Sequence, residues 1–187
     1  MTQTDKFLTA FGEIEVRQAQ PADFEAVMAI LEEASQWLLS KSIHQWPAGA
    51  FPKTYVANAI ERGEFYLARQ NGQAAGTIKL QWSDKLIWGD QPDDAGYVHH
   101  LAIRRAFAGH QLGRQLLHWA EGQVAAADKQ YLRLDCWGEN VKLKQYYERA
   151  GYLPCGEFKQ EVGDRVWSVA RYEKKLLKNE DLPASGG

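Results

Sequence analysis

The feature that most constrains the fold of this chain is an apolar strand that leads directly into a glycine-containing loop and a helix. Residues Gly96 to Ile103 predict a strongly apolar, central strand. The helix after the loop carries its apolar residues on one face: Leu112, Leu116, Trp119, Ala120 and Val124. A second strand, Tyr131 to Cys136, alternates between apolar and polar residues. The middle of the chain therefore predicts a strand, helix, strand unit.

Further elements flank this unit on both sides. The preceding elements are a strand, Glu13 to Arg17, and two helices, Phe24 to Leu38 and Tyr55 to Ile60. A hairpin follows, in which the strands Glu64 to Arg69 and Ala74 to Trp82 flank a turn at Asn71-Gly72. The following ones are a helix and two strands: Asn140 to Gly151, Phe158 to Val162 and Arg165 to Tyr172, with a turn at Gly163-Asp164. Together they predict a mixed sheet with helices packed against it.

The length of the chain predicts one substantial core. With 187 residues, of which 45% are hydrophobic, the chain is short for two independent domains. We therefore expect one domain over residues 13–177, preceded by an N-terminal arm of residues 1–12 and followed by a disordered polar tail of residues 178–187.

Charge, hydropathy and cysteine usage exclude several function classes. The 22 basic and 24 acidic residues leave a net charge of −2, so no global field favours nucleic acid or an anionic membrane. No apolar run approaches the length of a membrane span and no signal-peptide pattern is present, so we expect a cytoplasmic protein. We expect it to be a monomer or homodimer. The two cysteines share no metal-ligand spacing with the five histidines, so we expect buried thiols and neither a disulfide nor a metal site.

The loop between the central strand and the long helix is the most informative stretch for function. Unpaired backbone amides and the positive end of the helix dipole converge there, which suits an anion such as a pyrophosphate. Three arginines add local positive charge: Arg104, Arg105 and Arg114. The alternative is a glycine-eased turn with solvated arginines. The loop has neither the Gly-Lys-Ser/Thr of a Walker loop nor Gly-x-Gly-x-x-Gly, which disfavours nucleotide hydrolysis and nicotinamide binding.

Three stretches carry a resemblance to a known family. The loop Ala108-Gly109-His110-Gln111-Leu112-Gly113 corresponds to Gln/Arg-x-x-Gly-x-Gly/Ala, with Gln111 in place of the middle glycine. Leu101-Ala102-Ile103 is similar to Leu-Ala-Val, and Asn140 followed by Tyr147-Glu148-Arg149-Ala150-Gly151-Tyr152 is similar to Asn and then Tyr-Glu-x-x-Gly-Phe. The chain thus resembles the GNAT superfamily of acetyltransferases. That implies an α+β fold of three layers, with a mixed, mostly antiparallel central sheet of about seven strands, about four flanking helices and splayed central strands.

The resemblance also implies acetyl-CoA as the acyl-donor cosubstrate. Its pyrophosphate would lie on the backbone of the loop, at Gly109, His110, Gln111, Leu112, Gly113 and Arg114. The backbone of Leu101 and Ile103 would pair with the pantetheine arm as a further strand does, and Asn140 would hydrogen-bond that arm. Tyr147 would lie near the thioester sulfur and protonate the departing thiolate. The alternative for Tyr147 is an aromatic side chain that packs in the core.

His99 is the candidate general base, because an ammonium acceptor must lose a proton before it attacks. His99 lies four residues before Ile103 and shares its strand face, whereas strict alternation puts His100 on the other face. This arrangement resembles that of some family members, in which a histidine on a strand acts through a water. A satisfied core histidine is the alternative. Asp135 is a second candidate for the base or for binding the substrate cation, unless it pairs with a neighbouring arginine.

The predicted activity is transfer of the acetyl group to a primary amine of a small molecule or peptide, by direct attack in a ternary complex. Cys136 lies in the apolar phase of its strand, which disfavours a covalent intermediate. The resemblance assigns acceptor specificity to residues 37–51 and 82–94, whose aromatic side chains line a site or pack in the core. Their acidic residues, Asp90, Asp93 and Asp94, attract a polyamine or are merely solvated. The rival function is a non-catalytic acyl-CoA-binding domain, which would need neither an acid nor a base.

Overall fold

The computed structural model of the protein describes residues 4–9, 12–162 and 165–176. These residues form eight strands: β1 (Thr4–Thr9), β2 (Gly12–Gln18), β3 (Phe65–Gln70), β4 (Gln73–Gln81), β5 (Ala95–Ile103), β6 (Tyr131–Trp137), β7 (Leu153–Val162) and β8 (Arg165–Lys175). They also form five α-helices: α1 (Phe24–Ser40), α2 (Lys53–Glu61), α3 (Lys85–Trp88), α4 (Leu112–Ala126) and α5 (Val141–Arg149). Two short 3-10 turns, Pro21–Asp23 and Arg105–Phe107, precede α1 and follow β5.

The described residues fall into two compact units. The single domain over residues 13–177 stays a prediction. Unit 1 takes in the described residues up to Leu80 and those from His99 to Leu116. Unit 2 takes in Gln81 to Val98 and the described residues from Leu117 onward. Strand β5 and helix α4 therefore each contribute residues to both units.

Unit 1 is built on an antiparallel meander, in which β1 pairs with β2, β2 with β3 and β3 with β4. The hairpin between β3 and β4 turns at Asn71 and Gly72, whose φ angles of 51° and 76° are those of the tight turn that the sequence predicts. Helices α1 and α2 bury their apolar faces in one core cluster, whose fully buried members include Val27, Ile30, Leu31, Val56, Ala59, Phe65 and Leu67. Asp23 lies at the start of α1 and accepts hydrogen bonds from Arg17 on β2 and Arg69 on β3. This carboxylate holds the first turn of α1 against the meander.

Unit 2 contains the parallel part of the sheet. Residues Ala95 to Val98 of β5 pair in parallel with Tyr131 to Leu134 of β6. Strand β8 pairs antiparallel with both β6 and β7. A core cluster joins Ile87, Trp88, Ala95, Tyr97 and Val169. The strand, helix, strand unit predicted from the sequence thus supplies β5, α4 and β6.

The predicted fold class is confirmed, because the structure is mixed α+β with a mostly antiparallel sheet. It has one strand more and one helix more than the prediction. The additional strand is β1, which lies in the segment that we expected to be an N-terminal arm. The additional helix is α3, for which Asp84 supplies an N-cap by accepting a hydrogen bond from the Ile87 amide. The splay of the central strands stays a prediction.

Two predicted features lie outside the described residues: the turn at Gly163-Asp164 and the tail of residues 178–187. Among the residues that the structure describes, no helix combines the length and the hydrophobicity that crossing a membrane requires.

Candidate active site

The half of β5 that belongs to unit 1 departs from a regular strand at His100. Its φ angle of 51° lies in the left-handed region, which is uncommon for a residue other than glycine. The imidazole rings of His99 and His100 have their centroids 6.1 Å apart. Strict alternation along β5 would put these two rings on opposite faces of the sheet. The alternation is interrupted here, because the left-handed residue turns the strand locally.

His100, which sequence reasoning did not select, lies in an aromatic cluster of unit 1. Its ring centroid lies 5.3 Å from that of Phe51 and 5.9 Å from that of Phe65. The Tyr55 hydroxyl lies 3.1 Å from His100 Nε2, at hydrogen-bonding distance. Burial, helped by the charges of His99 and Lys79, lowers the pKa of His100 to about 3. His100 is therefore a neutral imidazole at physiological pH, a state that the sequence signals only through its position inside an apolar strand.

The turn that follows β5 is held by groups from β4 and α1. The Arg104 amide donates to the Ala75 carbonyl at 2.9 Å. The Glu33 carboxylate accepts from Arg104 Nε at 3.0 Å and from the Arg105 amide at 2.6 Å. The Arg105 guanidinium lies 4.2 Å from the centre of the Trp37 ring. Two of the three arginines that we predicted to attract an anion are thus already engaged, whereas Arg114 is exposed.

The loop before α4 has left-handed backbone at two residues. Gly109 and Gln111 have φ angles of 87° and 58°. The Gln115 amide donates to the Gln111 carbonyl at 3.1 Å, so Gln111 lies at the start of the helix. The amides of Leu112, Gly113 and Arg114 precede that first bond and have no acceptor within the helix. Such amides, together with the positive end of a helix dipole, are groups to which anions can bind. That the loop binds the pyrophosphate stays a prediction.

The predicted pantetheine-pairing residues, Leu101 and Ile103, flank the buried Ala102 on β5. Gly76 on β4 lets this part of β5 approach closely. A Cβ atom at position 76 would lie 2.7 Å from Ile103 Cδ1 and 3.0 Å from the Ala102 carbonyl oxygen. A side chain at position 76 would therefore displace β5 at the residues that the family resemblance assigns to the cofactor.

In unit 2, Asn140 and Tyr147 are placed by helix α5. Asn140 Oδ1 accepts a hydrogen bond from the Leu143 amide at 3.1 Å, which confirms the predicted N-cap. Tyr147 is only 7% exposed, and its ring contacts those of Tyr146, Tyr152 and Tyr172. Burial raises the pKa of Tyr147 well above its ordinary value, so the phenol stays protonated at physiological pH. The packing that we gave as the alternative role of Tyr147 is thus present, and it makes the phenol a weaker acid than an exposed tyrosine.

The two thiols differ in burial, where the sequence predicts that both are buried. Cys155 is exposed, whereas Cys136 on β6 is buried. Burial raises the pKa of the Cys136 thiol to about 12. A thiol with that pKa is not a nucleophile at neutral pH.

Arg133, the arginine on β6 two residues before Asp135, donates to Glu173 at 2.6 Å and lies 3.3 Å from Asp94.

The segments that the resemblance assigns to the acceptor contain packed as well as exposed aromatic residues. Trp46 packs edge-on against Phe51 in unit 1, and Trp88 is buried in unit 2, but Trp82 is 44% exposed. The three aspartates each have a cationic partner: Asp90 pairs with Lys85, Asp93 with Lys129 and Asp94 with Arg133. These ion pairs weaken the interpretation that the aspartates attract a polyamine.

The sequence-predicted site residues are distributed over both units. His99, Leu101, Ile103 and the loop Gly109 to Arg114 belong to unit 1, and Asn140 and Tyr147 belong to unit 2. Within unit 1, one short stretch of chain carries the candidate base, the pantetheine-pairing residues and the loop amides. That all of these residues serve one site stays a prediction.

Comparison with known proteins decides the family. A model of the Acetyltransferase (GNAT) family matches residues 31–152 of the chain. This protein belongs to that family. The match covers the end of α1, the loop before α4 and the Tyr147 signature, so it contains all of the predicted site residues.

Relatives and solved structures agree with this assignment. The uncharacterized N-acetyltransferase YesJ of Bacillus subtilis (strain 168) is 30% identical over 138 residues, which cover 70% of this chain and 76% of that protein. A crystal structure of a GNAT family acetyltransferase from Listeria monocytogenes 4b F2365 is 28% identical, with a TM-score of 0.77, and the match covers 92% of this chain and 100% of that one. RimL, the ribosomal L7/L12 α-N-protein acetyltransferase, in complex with coenzyme A, shares the fold at 16% identity, with a TM-score of 0.67 and coverage of 92% and 98%. The GNAT protein described here is an N-acetyltransferase.

The left-handed Gln111 leads to a stability prediction. This position corresponds to the middle glycine of the family pattern, and Gln111→Gly removes the steric cost of a side chain at a φ angle of 58°. Because glycine also gives the unfolded chain more freedom, we expect the free energy of unfolding to rise by only a few tenths to about 1 kcal/mol. Urea denaturation measures the change. Gln123→Gly, the same exchange within α4, should lower stability by about 1 kcal/mol. A loss of stability in both variants would contradict the strain at Gln111.

Proposed function

We propose that this N-acetyltransferase moves the acetyl group of acetyl-CoA to a primary amine of a small molecule or peptide, by direct attack in a ternary complex. The observation that carries the proposal is the start of α4, where the amides of Leu112, Gly113 and Arg114 precede the first helical hydrogen bond behind the glycine-containing loop. The cytoplasmic location predicted from the sequence, and a monomer or homodimer as the working form, are part of this proposal.

The cofactor is held mainly by backbone groups. The pyrophosphate lies on the amides of the loop Gly109 to Arg114, where the helix dipole favours negative charge. The pantetheine arm pairs with the backbone at Leu101 and Ile103. Asn140, whose Oδ1 atom caps α5, hydrogen-bonds the same arm through its side chain. Arg114 is exposed and adds positive charge next to the pyrophosphate.

The acceptor ammonium loses two protons in the reaction, and the CoA thiolate gains one. One proton of the ammonium goes to His99, directly or through a water, and the free amine then attacks the thioester carbon. The C–N bond forms and the C–S bond breaks, and the CoA thiolate takes its proton from the Tyr147 hydroxyl. The tyrosinate recovers its proton by taking the second one that the nitrogen gives up, and His99 returns its proton to solvent. Burial raises the pKa of the phenol, which leaves it protonated before the reaction but makes it a weaker acid. A charged thiolate formed in the same apolar surroundings is destabilised as well, so proton transfer to it is favoured.

Direct attack is preferred to a covalent acetyl-enzyme intermediate. Cys136 lies in the same unit as Tyr147, and burial raises the pKa of its thiol to about 12. At neutral pH only a very small fraction of that thiol is ionised, and the thiolate is the nucleophilic form. Transfer of the acetyl group through a thioester on Cys136 is therefore disfavoured.

The proposal is tested by turnover with a broad panel of primary amines and amino-terminal peptides. The release of free CoA is followed with a thiol reagent, and the acetylated product is identified by mass spectrometry. We expect acetyl-CoA to bind in calorimetry without an acceptor, and at least one amine to accelerate CoA release. Binding of acetyl-CoA with no turnover across the panel would favour a non-catalytic acyl-CoA-binding domain. Absence of binding at millimolar acetyl-CoA would contradict the proposed cofactor.

The assignment of His99 predicts a change in the pH profile. A general base must be deprotonated to act, so kcat/KM of the wild type falls as the pH drops through the pKa of the base. His99→Gln should lower kcat/KM at neutral pH by roughly 10- to 100-fold and should remove this acidic limb. His118→Gln is the matched control, because the His118 side chain is 88% exposed on α4. An acidic limb that persists in His99→Gln would transfer the role to Asp135 or to solvent.

The assignment of Tyr147 predicts a loss of turnover without a loss of binding. Tyr147→Phe keeps the ring that packs against Tyr152 and Tyr172 and removes only the hydroxyl. We expect kcat to fall by roughly 10- to 1000-fold while the Kd for acetyl-CoA changes little. Tyr146→Phe, the neighbouring tyrosine, should be nearly silent. A large loss in Tyr146→Phe alone would reverse the assignment, and no loss in either variant would mean that the thiolate takes its proton from water.

A further inference from the structure

Helix α1 and the turn after β5 meet on one carboxylate. Glu33 Oε1 accepts a hydrogen bond from the Arg105 amide at 2.6 Å, and Glu33 Oε2 accepts one from Arg104 Nε at 3.0 Å. The Glu33 side chain is only 29% exposed. Both carboxylate oxygens are therefore engaged by two successive residues of the turn, one through its backbone and one through its side chain.

Trp37 reinforces this contact from the next turn of the same helix. Residues four apart in an α-helix lie on one face, so Glu33 and Trp37 form a continuous stripe on α1. The Arg105 guanidinium lies over the Trp37 ring, 4.2 Å from its centre, which is the geometry of a cation–π contact. Arg105 is thus held at its backbone by Glu33 and at its side chain by Trp37.

The turn is also fixed from the side of the sheet and within itself. The Arg104 amide donates to the Ala75 carbonyl on β4 at 2.9 Å. The Phe107 amide then donates to the Arg104 carbonyl, and the Ala108 amide to the Arg105 carbonyl. The next residue is Gly109, the first of the anion-binding loop. The position of Arg104 and Arg105 therefore sets where the loop begins.

We propose that Glu33 and Trp37 are positioning residues for acetyl-CoA, which act by holding Arg104 and Arg105 so that the amides of Gly109 to Arg114 stand ready for the pyrophosphate. This role rests on the proposed function, because it assumes that acetyl-CoA binds on that loop. Neither residue needs to touch the cofactor. Their contribution is to keep the loop in its binding conformation before the cofactor arrives, which lowers the free-energy cost of binding.

Electrostatics alone predicts an effect of the opposite sign. Acetyl-CoA is strongly anionic, so a carboxylate on an element that contacts the turn repels it, and removing that charge should tighten binding. Removing a positioning contact should instead weaken binding, because the loop then samples other conformations. The direction of the change in affinity therefore distinguishes the two effects.

The experiment compares Glu33→Ala with Glu32→Ala in the full-length protein. Glu32 is the preceding residue on α1 and is exposed, so both variants lose one carboxylate from the same helix. Calorimetry with acetyl-CoA alone should give a Kd that is roughly 3- to 30-fold higher for Glu33→Ala, with Glu32→Ala within about twofold of the wild type. With a good acceptor, the KM for acetyl-CoA should rise in Glu33→Ala, while kcat at saturating acetyl-CoA should stay close to that of the wild type.

Two further variants separate positioning from a general loss of structure. Glu33→Gln keeps a side-chain oxygen for the Arg105 amide and should recover part of the affinity that Glu33→Ala loses. Trp37→Leu removes the ring beneath Arg105 and should raise the Kd in the same direction, which keeps the test available if Glu33→Ala folds poorly. Equal or tighter binding of acetyl-CoA by Glu33→Ala and Trp37→Leu would overturn the proposal while the proposed function stands. Failure of the wild type to bind acetyl-CoA would overturn both.

Discussion

The hydrogen bonds of Glu33 to Arg104 and Arg105 are the interaction on which the rest of the candidate cofactor site depends. The chain leaves β5 with two adjacent arginines. The Glu33 carboxylate accepts hydrogen bonds from the Arg104 side chain and from the Arg105 amide. Charge-assisted hydrogen bonds of this kind are stronger than neutral ones, so they define the geometry of the turn. Because the Arg104 and Arg105 side chains are engaged, the backbone amides of the loop that follows are left to donate hydrogen bonds to an anionic ligand.

Two residues with left-handed backbone lie on either side of this turn. His100 and Gln111 have φ angles of 51° and 58°, and neither is a glycine. Such conformations cost free energy and persist where the surrounding structure over-determines them, often at functional sites. At His100 the offsetting contacts are visible, because the ring packs among aromatic side chains and lies within hydrogen-bonding distance of the Tyr55 hydroxyl. The segment from His99 to Arg114 therefore combines backbone strain with the candidate functional groups.

Burial acts on both of the buried groups in unit 2 that acetyl transfer could use. It raises the pKa of the Cys136 thiol and of the Tyr147 phenol. A thiol is useful as a nucleophile only after it has lost its proton, so burial makes Cys136 inert and supports direct attack. A phenol is protonated at neutral pH in any case, and burial makes Tyr147 a weaker acid. Proton transfer from Tyr147 is therefore favourable only to a thiolate that the same apolar surroundings destabilise.

The sequence by itself determined the family, the order of most elements and the location of the loop before α4, because these depend on local periodicity and short motifs. It also predicted the Asn140 cap, since capping involves residues only three positions apart. Tertiary structure decided the features that depend on residues distant in sequence. Glu33 lies more than seventy residues before the arginines that it binds, and no local pattern indicates that contact. The left-handed backbone of His100 and the raised pKa of the buried Tyr147 likewise follow from packing, because burial and strain are set by neighbours that the chain brings together only when it folds.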